Sequence, residues 1–189
     1  LILCFAWTLC GLCRDNGLMV GDFVGGIMEG TGSLAKFLPA VIFIVACFIG
    51  FATGTSWGTI GIMVPLVCAV FDWTDQSTLL SIGLAASCAG GVCGDHCSPI
   101  SDTTIMASAG AHCSHVNHVS TQLHYAMTAA AISAGCYLLC GAAQAVLGDA
   151  ANTLTSFVLL ACAIVIELVV LSIVRARMGH TGKEEVTKS

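Results

Sequence analysis

Thr53, Thr55, Ser56 and Thr59 crowd one short stretch of the chain, and Asp95, Ser98, Ser101, Asp102, Thr103 and Thr104 crowd another. Hydroxyls, carboxylates and carbonyls freed from helical pairing are the ligands that hard cations such as Na⁺ select. Na⁺ at this site is the one metal the sequence calls for, as cargo and not as a resident cofactor. If a proton is exchanged for the cation, a carboxyl must carry it. A free aspartate titrates near 3.9 and would hardly hold a proton at neutral pH. Such chemistry therefore needs burial or a second carboxylate to disfavour the charged form. Asp102, set among Ser98, Ser101, Thr103 and Thr104, is the first expectation for that role and Asp95 the second. A structural reading competes. Ser98-Pro99 can be a helix N-cap followed by Pro at the first position, with Asp102 complementing the dipole in the first turn. Single hydroxyls can simply bond backbone carbonyls. One cap does not require two carboxylates, each costing about 2.5–3.5 kcal/mol near a bilayer centre.

Other reactive side chains are weaker pointers. His112, His115 and His118, with Cys113 among them, form a titratable loop that could sense pH, since imidazole ordinarily changes charge near pH 6.5. Solvated loop histidines are the plain alternative. Of the 12 cysteines, Cys47, Cys68, Cys88, Cys136, Cys140 and Cys162 sit in apolar runs, where Cys behaves as a small hydrophobe. Cys10-Gly-Leu-Cys13 has redox spacing but no βαβ context. Glu167 stands alone in the last apolar run and is expected to face the bundle interior.

The elements that must position these groups are membrane helices. The 189 residues are 57% hydrophobic and only 9% charged, with a mean hydropathy of +0.93, too few charges to clothe a water-facing surface. A net charge of −5 with scattered basic residues gives no footprint for nucleic acid. Residues 1–13 open in mid-run and are shorter than a span, so the chain is expected to be the later part of a longer protein. A glycine-rich linker, 14–33, follows. Apolar runs cover 34–70, interrupted at 52–59, and 78–109, interrupted at 94–102. After a histidine-rich loop, 110–120, come two uninterrupted spans, 123–147 and 153–174, and a polar tail. Unwound backbone at membrane depth is tolerated only where protein or a wet cavity surrounds it, and paired interrupted segments point to a transporter's substrate site. The 34–70 run reads either as one kinked span or as a re-entrant hairpin, its arms of about 15 residues rising roughly 22 Å each. Gly50, Gly54 and Gly58, and Ala86, Gly90 and Gly94, are small-residue faces leading into the two interruptions, so the two are expected to pack together. Arg175 and Arg177 after the last span place the tail in the cytoplasm and the 72–77 turn outside.

Phe51-Ala52-Thr53-Gly54-Thr55-Ser56-Trp57-Gly58-Thr59 resembles a signature of the NhaC-type Na⁺/H⁺ antiporter family, and Gly94-Asp95-His96-Cys97-Ser98-Pro99-Ile100-Ser101-Asp102-Thr103-Thr104 resembles its second, more specific one. The opening Ala6-Trp7 helix is similar too, and the likeness covers most of residues 1–174. The resemblance implies an all-α polytopic protein built of inverted repeats, each with a re-entrant hairpin and a broken transmembrane helix. Residues 1–174 would be the second repeat plus a final helix, partnered by a missing N-terminal repeat of the same protein, and 175–189 a cytoplasmic tail. It implies exchange of Na⁺ for H⁺, with coupling to malate, lactate or another small organic ion as the alternative. The expected partners are the lipid bilayer, Na⁺ and H⁺, with no cofactor and the oligomeric state open. The expected location is the plasma membrane. A channel would need a continuous polar face, which the unbroken spans lack. An intramembrane enzyme acting through Asp95, Asp102 or His96 would need a nucleophile–base pair or metal triad, and none stands out.

Overall fold

The computed structural model describes residues 36–71, 77–147 and 161–173, together with Thr8, Gly26 and Val158. Among these residues there are six helices and no strand: α1 Leu38–Thr53, α2 Ser56–Val70, α3 Ser77–Cys97, α4 Asp102–Gly110 and α5 His115–Leu147, then α6 Ala161–Ile173. The helices α3 and α5 are long and apolar enough to cross a membrane, while α1, α2 and α6 are apolar but shorter. The linker 14–33, the Cys10/Cys13 pair, the 148–152 turn and the tail lie outside the described residues, apart from Gly26.

The first interruption is narrower than the sequence suggests. Pro39 supplies the first turn of α1, and an unbroken apolar run carries the helix to Thr53. Gly54 then takes φ +65° and donates its N–H to Gly50 O at 2.9 Å, a left-handed stop that glycine adopts without penalty. Thr55 is extended and caps α2, its hydroxyl accepting the Gly58 N–H at 3.4 Å. Only Gly54 and Thr55 leave the helix. The arms have 16 and 15 residues, about 22–24 Å each at 1.5 Å per residue. Leu38, Val41, Ile42 and Val45 of α1 share one apolar cavity with Met63, Leu66, Val67 and Val70 of α2. The start of the first arm thus lies beside the end of the second.

Both arms pack on α3, and α1 does so most extensively. Ile42, Phe43, Ala46, Met63, Val67, Phe71, Leu80 and Ala86 form the buried core. Near the breaks, main chain meets main chain. A Cβ on Gly94 would overlap Cys47 O and come within 2.7 Å of Phe51 N, so α1 and α3 approach there only because no side chain intervenes. The described cysteines are all free thiols, Cys47 of α1 and Cys93 of α3 among them. On the far side, α5 covers α1, α3 and α4. Lys36 Nζ donates to Gln144 O at 3.0 Å, tying the entry of α1 to the C-terminal end of α5, where a cation complements the helix dipole.

Two boundaries correct the sequence expectation. The second interruption is residues 98–101, not 94–102: α3 stays helical through Asp95 and His96 to Cys97. Pro99 disfavours the α conformation at Ser98. The Ser101 N–H then closes a turn on Ser98 O at 3.4 Å, with Pro99 in the second turn position that suits it. The cap of α4 is consequently Ser101, and Ser98 is not the N-cap. The second correction concerns the histidine loop. His118 N–H reaches Ser114 O at 2.9 Å, so α5 begins at His115, and only His112, at φ 51°, remains in the turn.

Candidate functional site

The two breaks touch. A Cβ at Gly54 would stand 2.9 Å from both Ile100 O and Ile100 Cγ1, so the glycine of the first break seats against the turn of the second. One turn earlier, a Cβ at Gly50 would lie 3.2 Å from Asp95 N. Gly91 sits on the same face of α3 as Asp95, four residues before it, with its Cβ position 3.3 Å from Thr59 Cγ2. The hydroxyl-rich start of α2 therefore lies beside the face of α3 that carries Asp95.

Around the first break the oxygens are largely engaged with helix carbonyls. The Thr53 hydroxyl donates to Ile49 O at 2.8 Å and lies 3.4 Å from Thr59 Oγ1, and Thr59, fully buried, donates to Thr55 O at 2.9 Å. Ser56 is half-buried in the first turn of α2. Each hydroxyl keeps lone pairs free to accept or ligate. Around the second break, Ser98 and Ser101 are buried. Ser98 Oγ accepts the Ile100 N–H at 3.4 Å, and Ser101 Oγ pairs with Thr103 Oγ1 at 2.7 Å.

Among the described residues two buried side-chain oxygens have no such partner. Asp95, 8% exposed, and Thr104, 3% exposed, hold Oδ1 and Oγ1 respectively in buried positions without a hydrogen bond. A buried carboxylate oxygen left unpaired is costly and calls for a proton, a cation or water. Its helix position adds to this: Asp95 is in the last turn of α3, the negative end of the dipole, where positive charge is favoured.

Asp102 has the opposite setting. It is exposed and in the first turn of α4, the end where a carboxylate is comfortable. Thr53 and Thr103 are likewise exposed. Asp95, Ser98, Ser101 and Thr104 are thus buried, while Asp102 is exposed. Thr59, whose sequence signal was its place in the first interruption, proves the most deeply buried of the first break's hydroxyls.

The histidines do not converge. His112 is exposed, His115 and His118 are half-buried on α5, and no group of three His, Cys, Asp or Glu among the described residues could hold a metal ion. Glu167 lines a cavity of about 470 Å³ between α3, α5 and α6, with Ser81 and Ser133.

The two helical breaks lie in contact, with one buried carboxylate oxygen unpaired beside them, and comparison with known proteins decides the family. The family model described as "Na+/H+ antiporter family" matches residues 1–142. The chain belongs to the Na⁺/H⁺ antiporter family. Membership makes it an integral membrane protein of a transporter family. The chain is 40% identical over 163 residues to a Haemophilus influenzae protein named only as uncharacterized, covering 86% of the chain and 31% of that relative. It is 31% identical over 133 residues to an "Uncharacterized Na(+)/H(+) antiporter" of the same organism, covering 66% of the chain and 28% of the relative. It is 30% identical over 132 residues to the "Malate-2H(+)/Na(+)-lactate antiporter" of Bacillus subtilis, again 66% and 28%. The chain spans less than a third of the length of these relatives. No solved structure matches it.

Proposed function

We propose that this chain supplies the ion site of a secondary transporter that exchanges Na⁺ for H⁺, the two cations competing for one carboxylate where the breaks meet. The observation that carries the reading is the buried Asp95 Oδ1 without a hydrogen-bond partner, beside hydroxyls on both breaks. When Na⁺ occupies the site, the Asp95 carboxylate balances its charge, and Thr104, Ser98, Ser101, Thr59, Thr55, Thr53 and Ser56 are the neutral oxygens available to it. When Na⁺ leaves, the carboxylate takes a proton, so that it is not left charged and unpaired in a low-dielectric setting. Asp102 and Thr103 stand at the entrance, where a carboxylate raises the local cation concentration.

The α1–α2 pair would be a re-entrant hairpin and α3–α4 the broken transmembrane helix of one inverted repeat, a second repeat completing the transporter. The side-by-side arms, each too short for the ~30 Å core, support that arrangement. The flux test uses the complete transporter in proteoliposomes, with Na⁺ and pH gradients varied separately. Na⁺ uptake driven by an outward proton gradient, and proton movement driven by Na⁺, are the expected results. Na⁺ flux indifferent to the pH gradient would sink the exchange reading.

A second reading, coupling to a small organic anion, is favoured by the relative named for malate and lactate. It predicts that malate or lactate in the lumen accelerates Na⁺ flux in the same vesicles.

Topology gives a further expectation. With the tail after Arg175 cytoplasmic and the 72–77 turn external, cysteines introduced at Ser77 and Thr187 in a background without reactive thiols should show opposite accessibility to an impermeant reagent. Equal labelling from one side would overturn the assignment.

A further inference from the structure

Backbone released by a break needs new partners, and at the second break they come from α5. Gln122 Nε2 donates to His96 O at 2.7 Å. His115 Nε2 lies 2.8 Å from Pro99 O. A carbonyl only accepts, so that nitrogen carries a proton. The other ring nitrogen, Nδ1, lies 3.0 Å from Ser108 Oγ. Ser108 is buried on α4, and its hydroxyl is also placed to donate to Ile105 O at 2.9 Å. One imidazole therefore joins the turn of the break, the helix that follows it and the start of α5. The intervening loop is shaped to permit this: His112 adopts φ 51°, and Cys113 directs its N–H and its thiol to Ser108 O at 3.1 and 3.7 Å.

Counting protons separates the two states of this ring. A serine hydroxyl owns one hydrogen. With His115 neutral, Nδ1 is an acceptor and competes with Ile105 O for it. With His115 protonated, Nδ1–H donates to Ser108 Oγ, and the hydroxyl hydrogen is free for Ile105 O. All three contacts are complete only in the charged form. Both ring nitrogens are taken by Pro99 O and Ser108, so no carboxylate pairs with the ring. The titratable groups on the surrounding elements are His112 and Cys113 in the loop, His118, His124, Tyr125, Cys136, Tyr137 and Cys140 on α5, Asp102 at the other end of α4, and Cys88, Cys93, Asp95, His96 and Cys97 on α3. His124 Nδ1 is already turned to Ser120 O at 2.8 Å.

We propose that His115 and Gln122 are positioning residues that hold the second break against α5, and that protonation of His115 tightens the hold. The hold is fuller with His115 charged than with it neutral. Its role as a regulator of transport rests on the exchange reading above, but the hold itself does not. Hydrogen exchange on the purified complete protein, corrected for the intrinsic pH dependence of exchange, tests it directly. Protection across residues 98–111 should be about tenfold greater at about pH 5.5 than at about pH 8.5, the scale of one hydrogen bond to a charged group. His115→Gln keeps a donor for Pro99 O but cannot charge, and should abolish the difference. Gln122→Ala should lower protection at both pH values and keep the difference. Equal wild-type protection at the two pH values, or an undiminished difference in His115→Gln, overturns the proposal. Absence of Na⁺/H⁺ flux from the wild type would remove the exchange reading while the protection data still decide the hold.

Discussion

Asp95→Asn is expected to reduce proton-coupled Na⁺ flux to the background of empty vesicles while leaving the protein folded. Asparagine keeps the size and one acceptor oxygen but can neither balance a cation nor exchange a proton. Removing the charge from an unpaired buried carboxylate relieves a desolvation cost, so thermal stability in detergent should stay level or rise. That pairing of lost transport with retained stability distinguishes a functional carboxylate from a structural one, whose loss would lower both. Asp102→Asn is the matched comparison. Asp102 is exposed at the favourable end of α4, and its loss should cost about 0.3–1 kcal/mol of dipole stabilisation and weaken Na⁺ affinity, leaving exchange measurable. Wild-type exchange by Asp95→Asn would show that the proton is carried elsewhere. If the double variant Asp95→Asn with Asp102→Asn also exchanges at the wild-type rate, the mechanism fails.

The second large effect is expected at Gly94. Its replacement by Ala places a methyl against Cys47 O and Phe51 N, both backbone atoms of α1, which cannot step aside as a flexible side chain would. Overpacking ordinarily costs about 1–3 kcal/mol, and a backbone–backbone seam puts this case at or above the upper end. Separation of α1 from α3 would also pull the breaks apart, so Na⁺ affinity and stability should fall together. Gly135→Ala is the control: a Cβ there meets nothing within 4 Å. Removing a glycine from the interior of α5 should stabilise the helix by up to about 1 kcal/mol. Comparable melting temperatures for the two variants would show that the seam is looser than its geometry.

How far the sequence disclosed this arrangement varied with the kind of signal. Gly54 and Thr55 announced the first break through their types, a left-handed stop followed by a capping hydroxyl, and the small residues of α1 and α3 announced the close approach. The different exposure of the two aspartates was not legible. Asp95 and Asp102 look alike in a polar stretch. Only the three-dimensional placement shows that the helix persists two residues past Asp95, burying it, and that the Ser98–Ser101 turn carries Asp102 to the margin. The start of α5 was missed for a related reason. Ser114 is a good cap, but the polar residues after it masked a helix whose register is set by contacts with α3 and α4. His115's two hydrogen bonds, to residues 16 and 7 positions away, depend on that register and leave no trace in local composition.

Trp57 stands two residues after Thr55, with 78% of its surface exposed. An indole is a chromophore sensitive to the polarity around it, and this one is fixed to the first turn of the arm that begins at the break. Trp7 and Trp73 are the other two tryptophans. With those replaced by phenylalanine, the protein carries its own optical reporter of whatever moves against the mouth of α2, whether lipid, the remaining transporter or water arriving with an ion.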